Sequence, residues 1–453
     1  MVKDYTYLEH TTSLCHICLK KTEAKLIEKG GAIYIKKFCP EHGHFLELLE
    51  EDAHYYNQRK KYDKPGNQIA CQTSISEGCP FDCGLCPNHE QHTCVGLIEI
   101  TNKCNLNCPV CFANSGNGEF MSLKKFEEML DFFVESEGGH ADILQISGGE
   151  PTIHPEIIQM IALARTKNIH YVMLNTNGIK LAEDIELVRE LSQFKGGFEV
   201  YMQFDGFAEE IHRYFRGRPL LETKLRAIEN LASYQIPITL VSTLEQGINE
   251  HEIGKIIEFG IKTKYVRGIS FQPVGYFGRV PDSLKTNRLT ISGITQRIEN
   301  QTSCMLRKED FIPLPCNVDR VAITYLYRNK DMSFVPLTRN LDLKEYLPFI
   351  KNTFKFDPGD FLKELSSGIF TKDCCNVVGL FKDFSKYIPL SYMFKNEEEK
   401  IEFVTENTFR ISITSFIDAY NFDIKSIQKE CVHFITLDLK KIPFSSYNLL
   451  HRK

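Results

Sequence analysis

The stretch Thr101–Ala113, TNKCNLNCPVCFA, constrains this chain more than any other. It sets Cys104, Cys108 and Cys111 in a C-x3-C-x2-C spacing, directly after an apolar run, Val95 to Ile100, that reads as a strand. Cysteine is the usual ligand to each iron of an iron–sulfur cluster, and three thiolates on one loop suit such a cluster. A cubane has four irons, so three cysteines leave one iron open. An open metal position binds and activates a small molecule, by the logic that separates catalytic from closed structural zinc. The alternative, a structural zinc knuckle, needs a fourth Cys or His close by.

Two cysteine-rich segments precede that loop. Cys15-His-Ile-Cys18 is one knuckle, and Cys39-Pro-Glu-His42-Gly-His44 follows a run, Ala32 to Phe38, that alternates like a hairpin strand. Together they can close a tetrahedral site for zinc or a single iron, with His42 the first choice for fourth ligand and His44 the second. A region this small needs such a staple to fold. The charged stretch from Glu50 to Lys61 reads as a solvated helix or linker. Next, GCPFDCGLCPNHEQHTC supplies Cys79, Cys83 and Cys86 in a second C-x3-C-x2-C, completed by Cys94, with Cys71 upstream. Four cysteines make a closed set, suited to electron transfer or structure; spacing alone does not separate an auxiliary [4Fe-4S] cluster from four-cysteine zinc. His89 and His92 lie in the same loop as further candidates.

Composition places these motifs in an ordinary globular chain. At 453 residues there is room for about three domains, taking ~150 residues each. We divide it into a metal knuckle (1–66), an auxiliary cluster segment (67–95), a strand–helix region (96–300) and a C-terminal region (301–453). The net charge of −5 argues against a general nucleic-acid-binding surface. The N-terminus lacks an apolar signal-peptide core, and no window approaches the length of a transmembrane helix. Sixteen cysteines, most of them before residue 112, then point to reduced thiols, metal ligation and a cytoplasmic protein.

From residue 95 to about 300, β-rich runs alternate with amphipathic helical runs, the pattern of a parallel α/β fold. The expected strands are Leu97–Ile100, Ile143–Ser147, Tyr171–Leu174, Phe198–Phe204, Ile238–Ser242 and Ile269–Pro273. Six units are fewer than the eight of a closed barrel. Polar signatures follow the strands, where parallel sheets place ligand sites. They are Ser147-Gly148-Gly149-Glu150-Pro-Thr152, Asn175-Thr176-Asn-Gly178, Gln203-Phe-Asp205-Gly206, Ser242-Thr243 and Gln272. For the Asn-Gly and Asp-Gly pairs the competing reading is an ordinary turn. Beyond residue 301 the alternation ends, and the region reads as an α+β cap over the barrel mouth, with Cys304, Cys316, Cys374, Cys375 and Cys431 as candidates for small buried hydrophobes.

The three-cysteine loop and the GGE that follows resemble the radical S-adenosylmethionine (SAM) enzymes. That resemblance implies an open, six-stranded partial (β/α)6 barrel. It implies a [4Fe-4S] cluster on Cys104, Cys108 and Cys111 whose open iron chelates SAM, and cleavage of SAM to methionine and a 5′-deoxyadenosyl radical. Gly148, Gly149 and Glu150 would hold the SAM amino group; Asn175, Thr176, Gln203 and Asp205 would stand near its methionyl and ribose parts, with Asp205 on the ribose, and Ser242, Thr243 and Gln272 would line the pocket. Where many relatives place an aromatic before the third cysteine, this chain has Val110. The partners implied are SAM, a reductant such as ferredoxin or flavodoxin, and a lipid or small-molecule substrate, with peripheral membrane contact an option for a lipid.

Over nearly the whole chain the two cysteine loops and the segments FRISITSFIDAYNFD and CVHFIT resemble one subfamily: archaeal tetraether lipid synthases and the related class D pterin methyltransferases. The first expectation is therefore C–H functionalisation with carbon–carbon bond formation on a lipid chain; the alternative is methylation of a pterin or similar heterocycle. A mainly apolar channel favours the former, a polar and aromatic pocket the latter. A non-catalytic zinc-binding module is the reading from another class. The subfamily carries a further C-terminal cluster, for which Cys316, Cys374, Cys375 and Cys431 are the candidates. The chain departs from the pattern there, with Cys316-Asn-Val-Asp-Arg-Val321 lacking a second cysteine and Glu430 standing before Cys431.

Overall fold

Strict alternation builds the N-terminal sheet, four antiparallel strands in sequence order: β1 (Thr6–Leu14), β2 (Lys21–Lys29), β3 (Ala32–Cys39) and β4 (Gly43–Glu50). Ala24 and Leu26 of β2 and Ile33 and Ile35 of β3 bury one face, with Lys25 and Tyr34 between them. The turns after β1 and β3 bring the two cysteine knuckles side by side. This description comes from a computed structural model covering residues 4–67, 70–281, 288–329, 333–339 and 390–452, with isolated positions between 330 and 390; Cys374 and Cys375 lie outside the described residues.

The charged stretch forms the helix Ala53–Arg59, one of the two expected forms, but the helix is partly buried and not a solvated one. Asp52 caps it, accepting from the backbone N–H groups of His54 and Tyr55, but Tyr56 and Arg59 are buried and Arg59 pairs with Asp319 at 2.7 Å. Lys37 makes a second tie between the N-terminal sheet and the rest. Its Nζ donates to the carbonyls of Leu14, Ala419 and Tyr420 at 2.8, 2.7 and 3.0 Å, and burial lowers its pKa to about 8.

All six strands of the α/β region form. They are β5 (Val95–Glu99), β6 (Ala141–Ser147), β7 (Ile169–Thr176), β8 (Phe198–Gln203), β9 (Ile238–Leu244) and β10 (Val266–Pro273), each parallel to the next. The helix Leu123–Ser136 starts where Ser122 accepts from the Lys125 N–H at 3.3 Å, and it buries Phe126, Met129, Leu130 and Phe133 against the sheet.

An open parallel sheet leaves unpaired backbone groups on both outer strands. Here the C-terminal region covers both edges, which makes it part of the sheet as well as a neighbour of the site. Beyond β10, the strands β11 (Ile312–Pro313), β12 (Val321–Arg328), β13 (Phe334–Pro336) and β14 (Thr408–Thr414) follow in sequence. β14 lies parallel to β10, and β12 antiparallel to β14. At the far edge β15 (Val432–Ile435) lies parallel to β5 and pairs with β16 (Lys441–Pro443). A chain reaching both edges needs pairings more than 300 residues apart, such as Val432 with Val95, and no local periodicity reports those.

Candidate active site and metal centres

The cysteine loop leaves β5 and meets the GGE turn, which leaves β6, through its backbone. Gly149 N–H donates to Thr101 O at 2.8 Å and Glu150 N–H to Lys103 O at 2.9 Å. A Cβ on Gly148 would lie 2.3 Å from Thr101 O, and one on Gly149 2.1 Å from Lys103 O. The glycines are thus required by loop-to-loop packing, a different reason from the approach to an ammonium that the sequence suggested. Arg279 fixes the other side: Cys111 and Arg279 exchange backbone N–H···O bonds at 2.9 Å, and Arg279 Nε donates to Cys108 O at 2.9 Å. Without metal, burial pushes the Cys104 thiol up to about 11 and raises Cys108 as well, so a cluster must displace protons to bind.

Cys104, Cys108 and Cys111 line a cavity of about 120 Å³ together with Gly148, Gly149, Glu150, Asn175, Thr176 and Gln203. Val110 is on that wall with Val274 and Phe277 nearby, supplying apolar surface where an aromatic was expected. Glu150 is 1% exposed and heavily committed. Its Oε1 accepts from Thr152 N and Oγ1 and from Thr176 Oγ1, and its Oε2 from Asn177 N at 2.7 Å. A carboxylate has about four acceptor sites, so this one clamps the end of β7 and has little left for a ligand.

Asp205 is not on the cavity wall. It is fully buried and chelated by Arg216, whose Nε and Nη2 donate to its two oxygens at 2.7 Å each. Against the burial that would raise it, Arg216 holds the Asp205 carboxyl below its ordinary value. Arg216 also donates to Gln203 Oε1 and Thr243 Oγ1, and it is the group that faces the cavity. Ser242 is turned into the fold, because side chains alternate along β9 and its neighbour Thr243 takes the inward position. Sequence reasoning missed Arg216, Arg279 and the buried Lys224, whose Nζ donates to Asn177 O at 2.5 Å. None of the three belongs to a motif.

A second cavity of about 120 Å³ adjoins the first, sharing Phe112, Asn175, Gln203, Gln272 and Phe416. Aliphatic side chains such as Leu97, Ile143 and Met173 form part of its wall, with the amides Gln145, Asn175, Gln203 and Gln272 set among them. Gln272 Nε2 donates to Tyr201 OH at 3.0 Å, and Arg410 lines the cavity while facing Glu199 Oε1 at 3.4 Å.

The N-terminal knuckles close as a four-ligand set. Cys15, Cys18, Cys39 and His42 have their donor atoms all within 4.8 Å of one another, with Cys15 Sγ to His42 Nδ1 at 3.6 Å and Cys18 Sγ to Cys39 Sγ at 3.9 Å. That geometry suits one tetrahedral ion. His44 packs on Phe38 instead. Cys79, Cys83 and Cys86 surround a small cavity that His89 also lines. Cys94 does not complete that set as the sequence suggested: it precedes β5, and the pairing of β5 with β15 draws it to Cys431 and Cys316.

Comparison with known proteins gives the class. Residues 98–260 match the radical SAM superfamily, and residues 7–51 match the HMPTM N-terminal zinc ribbon domain. The chain is 34% identical to 7,8-dihydro-6-hydroxymethylpterin dimethyltransferase of Methanocaldococcus jannaschii, over 98% of this chain and 94% of the relative. It is 30% identical to GTP 3′,8-cyclase of Syntrophomonas wolfei, over 41% of this chain and 58% of that one. Among solved structures it is similar to SuiB of Streptococcus suis, with a TM-score of 0.40 and 15% identity over 48% of this chain and 46% of that chain. The chain belongs to the radical SAM superfamily and is an enzyme of that class. Membership implies a [4Fe-4S] cluster, SAM and a reductant. The donor set fits that cluster: three cysteines facing one cavity, with no fourth thiol on its wall among the described residues. No helix among the described residues is long and apolar enough to cross a membrane.

Proposed function

We propose that this chain is a radical SAM C-methyltransferase whose substrate is a pterin or a similarly flat, hydrogen-bonding heterocycle. The observation that carries this reading is the set of amides and aromatic rings in the wall of the otherwise largely apolar cavity that adjoins the cysteine site. Gln145, Asn175, Gln203 and Gln272 offer donors and acceptors to the edge of a ring, and Phe112, Tyr201 and Phe416 offer faces to its plane. The similarity to a pterin dimethyltransferase over nearly the full length supports the same choice and turns the order of the two sequence readings round.

A cluster held by Cys104, Cys108 and Cys111 would supply the electron for reductive cleavage of SAM, the chemistry that would open an unactivated C–H bond of the substrate. The methyl group would come from SAM or from a folate-type carrier. The protein's part is geometric. Cys104, Cys108 and Cys111 would hold the cluster; the GGE turn and Arg279 hold the cysteine loop; Arg216 fixes Gln203 and Thr243 on the wall; Phe112 and Phe416 line both cavities. The Cys79–Cys83–Cys86 loop would carry an auxiliary cluster, and the zinc ribbon set is structural.

The test is an anaerobic reaction of the reconstituted protein with dithionite, SAM and 7,8-dihydro-6-hydroxymethylpterin, with and without a methylene-carrying folate. Pterin-dependent 5′-deoxyadenosine and a methylated pterin are expected, both lost in Cys108→Ala. Deoxyadenosine at an unchanged rate beside unmodified pterin would overturn the substrate assignment.

A further inference from the structure

The cavity beside the cysteine site has polar residues in its wall that the cysteine site does not share. Asn317, Arg320 and Glu430 line it, and none of the three lines the cavity of Cys104, Cys108 and Cys111. Asn317 and Arg320 stand on the turn between β11 and β12, and Glu430 stands just before β15, so all three come from the C-terminal region that covers the sheet edges. All three are more than nine-tenths buried. Asn317 Oδ1 has no hydrogen-bond partner. A buried carbonyl oxygen left without a donor is costly, and an N–H of a ligand is one way to satisfy it.

The two charged groups are held in place and only partly used. Glu430 Oε2 accepts from Ser445 N at 2.9 Å, and its Oε1 accepts from Ser445 Oγ at 2.6 Å. Ser445 Oγ in turn accepts from Ile417 N at 3.2 Å, so backbone sets the direction of that hydroxyl. A carboxylate has about four acceptor sites, which leaves Glu430 with acceptor capacity to spare. Arg320 donates from Nε to Ser426 Oγ at 2.9 Å and from Nη2 to Asn421 O at 3.3 Å. Both acceptors are neutral, and a guanidinium has more N–H groups than these two bonds use, so Arg320 keeps donors as well as its charge. One wall thus offers a donor on Arg320 and acceptors on Glu430 and Asn317.

We propose that Glu430, Asn317 and Arg320 form the subsite for the amino–oxo edge of a pyrimidinone ring, the edge that pterins share with guanine. That edge carries a ring N–H between an exocyclic amino group and a carbonyl oxygen. The Glu430 carboxylate accepts from the ring N–H and the amino group, Asn317 Oδ1 accepts the second amino hydrogen, and Arg320 donates to the carbonyl. Bonds in which one partner is ionised are the strong ones, so this edge sets the ligand's direction. Docked in this way, a pterin turns its pyrazine ring toward Asn175, Gln203 and Gln272, which line both cavities. The carbons presented to the SAM site are then those farthest from Glu430. This assignment rests on the heterocycle reading of the substrate and adds which edge is recognised and by which residues.

Anaerobic equilibrium binding to the full-length, reconstituted protein tests it. The probes are 7,8-dihydro-6-hydroxymethylpterin and the matching lumazine, in which an oxo group replaces the amino group. The wild type should bind the pterin roughly 10- to 100-fold tighter, because in the lumazine an oxo group faces the carboxylate and a charge-assisted hydrogen bond is lost. In Glu430→Gln, whose amide supplies a donor, the pterin should weaken and the lumazine should strengthen, so the preference shrinks or inverts. A residue that only supported the fold would weaken both alike; that result, or an unchanged preference, overturns the subsite and leaves the pterin reading standing. Loss of iron and sulfide in Glu430→Gln would make the carboxylate part of a metal centre and overturns the subsite too. Should the variant fail to fold, the wild type still decides: equal affinity for the two ligands overturns the subsite. Binding of neither ligand overturns the pterin reading and the subsite with it.

Discussion

Replacing Glu150 by glutamine tests how the GGE turn works. Two of the hydrogen bonds to its carboxylate come from backbone N–H groups, Thr152 on Oε1 at 3.1 Å and Asn177 on Oε2 at 2.7 Å. A glutamine placed either way turns its amide nitrogen against one of them. One buried donor is then stranded, at a cost of about 1–3 kcal/mol. If about 2 kcal/mol of that falls on the ligand-bound state, affinity drops roughly 30-fold at 1.4 kcal/mol per decade. What loosens is Thr176–Asn177, and both line the cavity, so the loss belongs to the wall and not to one group of the ligand. Equilibrium binding of SAM and of an analogue lacking the amino group, on protein with matched cluster content, separates the cases. Both should weaken by the same factor. A loss confined to SAM, with the analogue unaffected, would refute the argument and make the carboxylate a direct partner of the ammonium.

Three further outcomes follow from the same geometry. Gly149→Ala forces a Cβ into Lys103 O and should abolish deoxyadenosine formation while the ribbon metal is retained; activity near wild type would mean the loops can separate freely. Asp205→Asn leaves the buried Arg216 cation without its counter-charge and should cost about 3–5 kcal/mol, read as a lower urea midpoint. An unchanged midpoint would count against the pair. Burial pushes the Glu245 carboxyl up to about 8, and its Oε1 has no hydrogen-bond partner. Between pH 4.5 and about 8 the unfolded chain has lost this proton while the folded chain keeps it, so the group's contribution to stability falls as pH rises through that window. Glu245→Gln should therefore gain on the wild type at pH 8 and lose that advantage towards pH 5, read from urea midpoints at both.

What was legible in the sequence was whatever is local. The six parallel strands carry their own apolar runs, and the cysteine loops and the GGE turn carry their ligands within a dozen residues. The cavity accordingly contains Cys104, Cys108, Cys111, Glu150, Asn175 and Gln203 as expected. Three kinds of information were not local. Asp205 and Ser242 were chosen for standing at strand ends, but a strand end sets a side chain's position and alternation sets its direction; Arg216 claimed the first and the pleat turned away the second. Cys94 was assigned by its distance along the chain from Cys86, whereas its neighbours are fixed by a pairing between β5 and β15 that the intervening sequence does not announce. Arg279 and Lys224 act on the backbone carbonyls of Cys108 and Asn177, and a bond to a carbonyl leaves no residue-type signature on its acceptor. These three failures share one cause. Spacing along the chain identifies which residues have the chemistry, and the sheet register decides which of them meet.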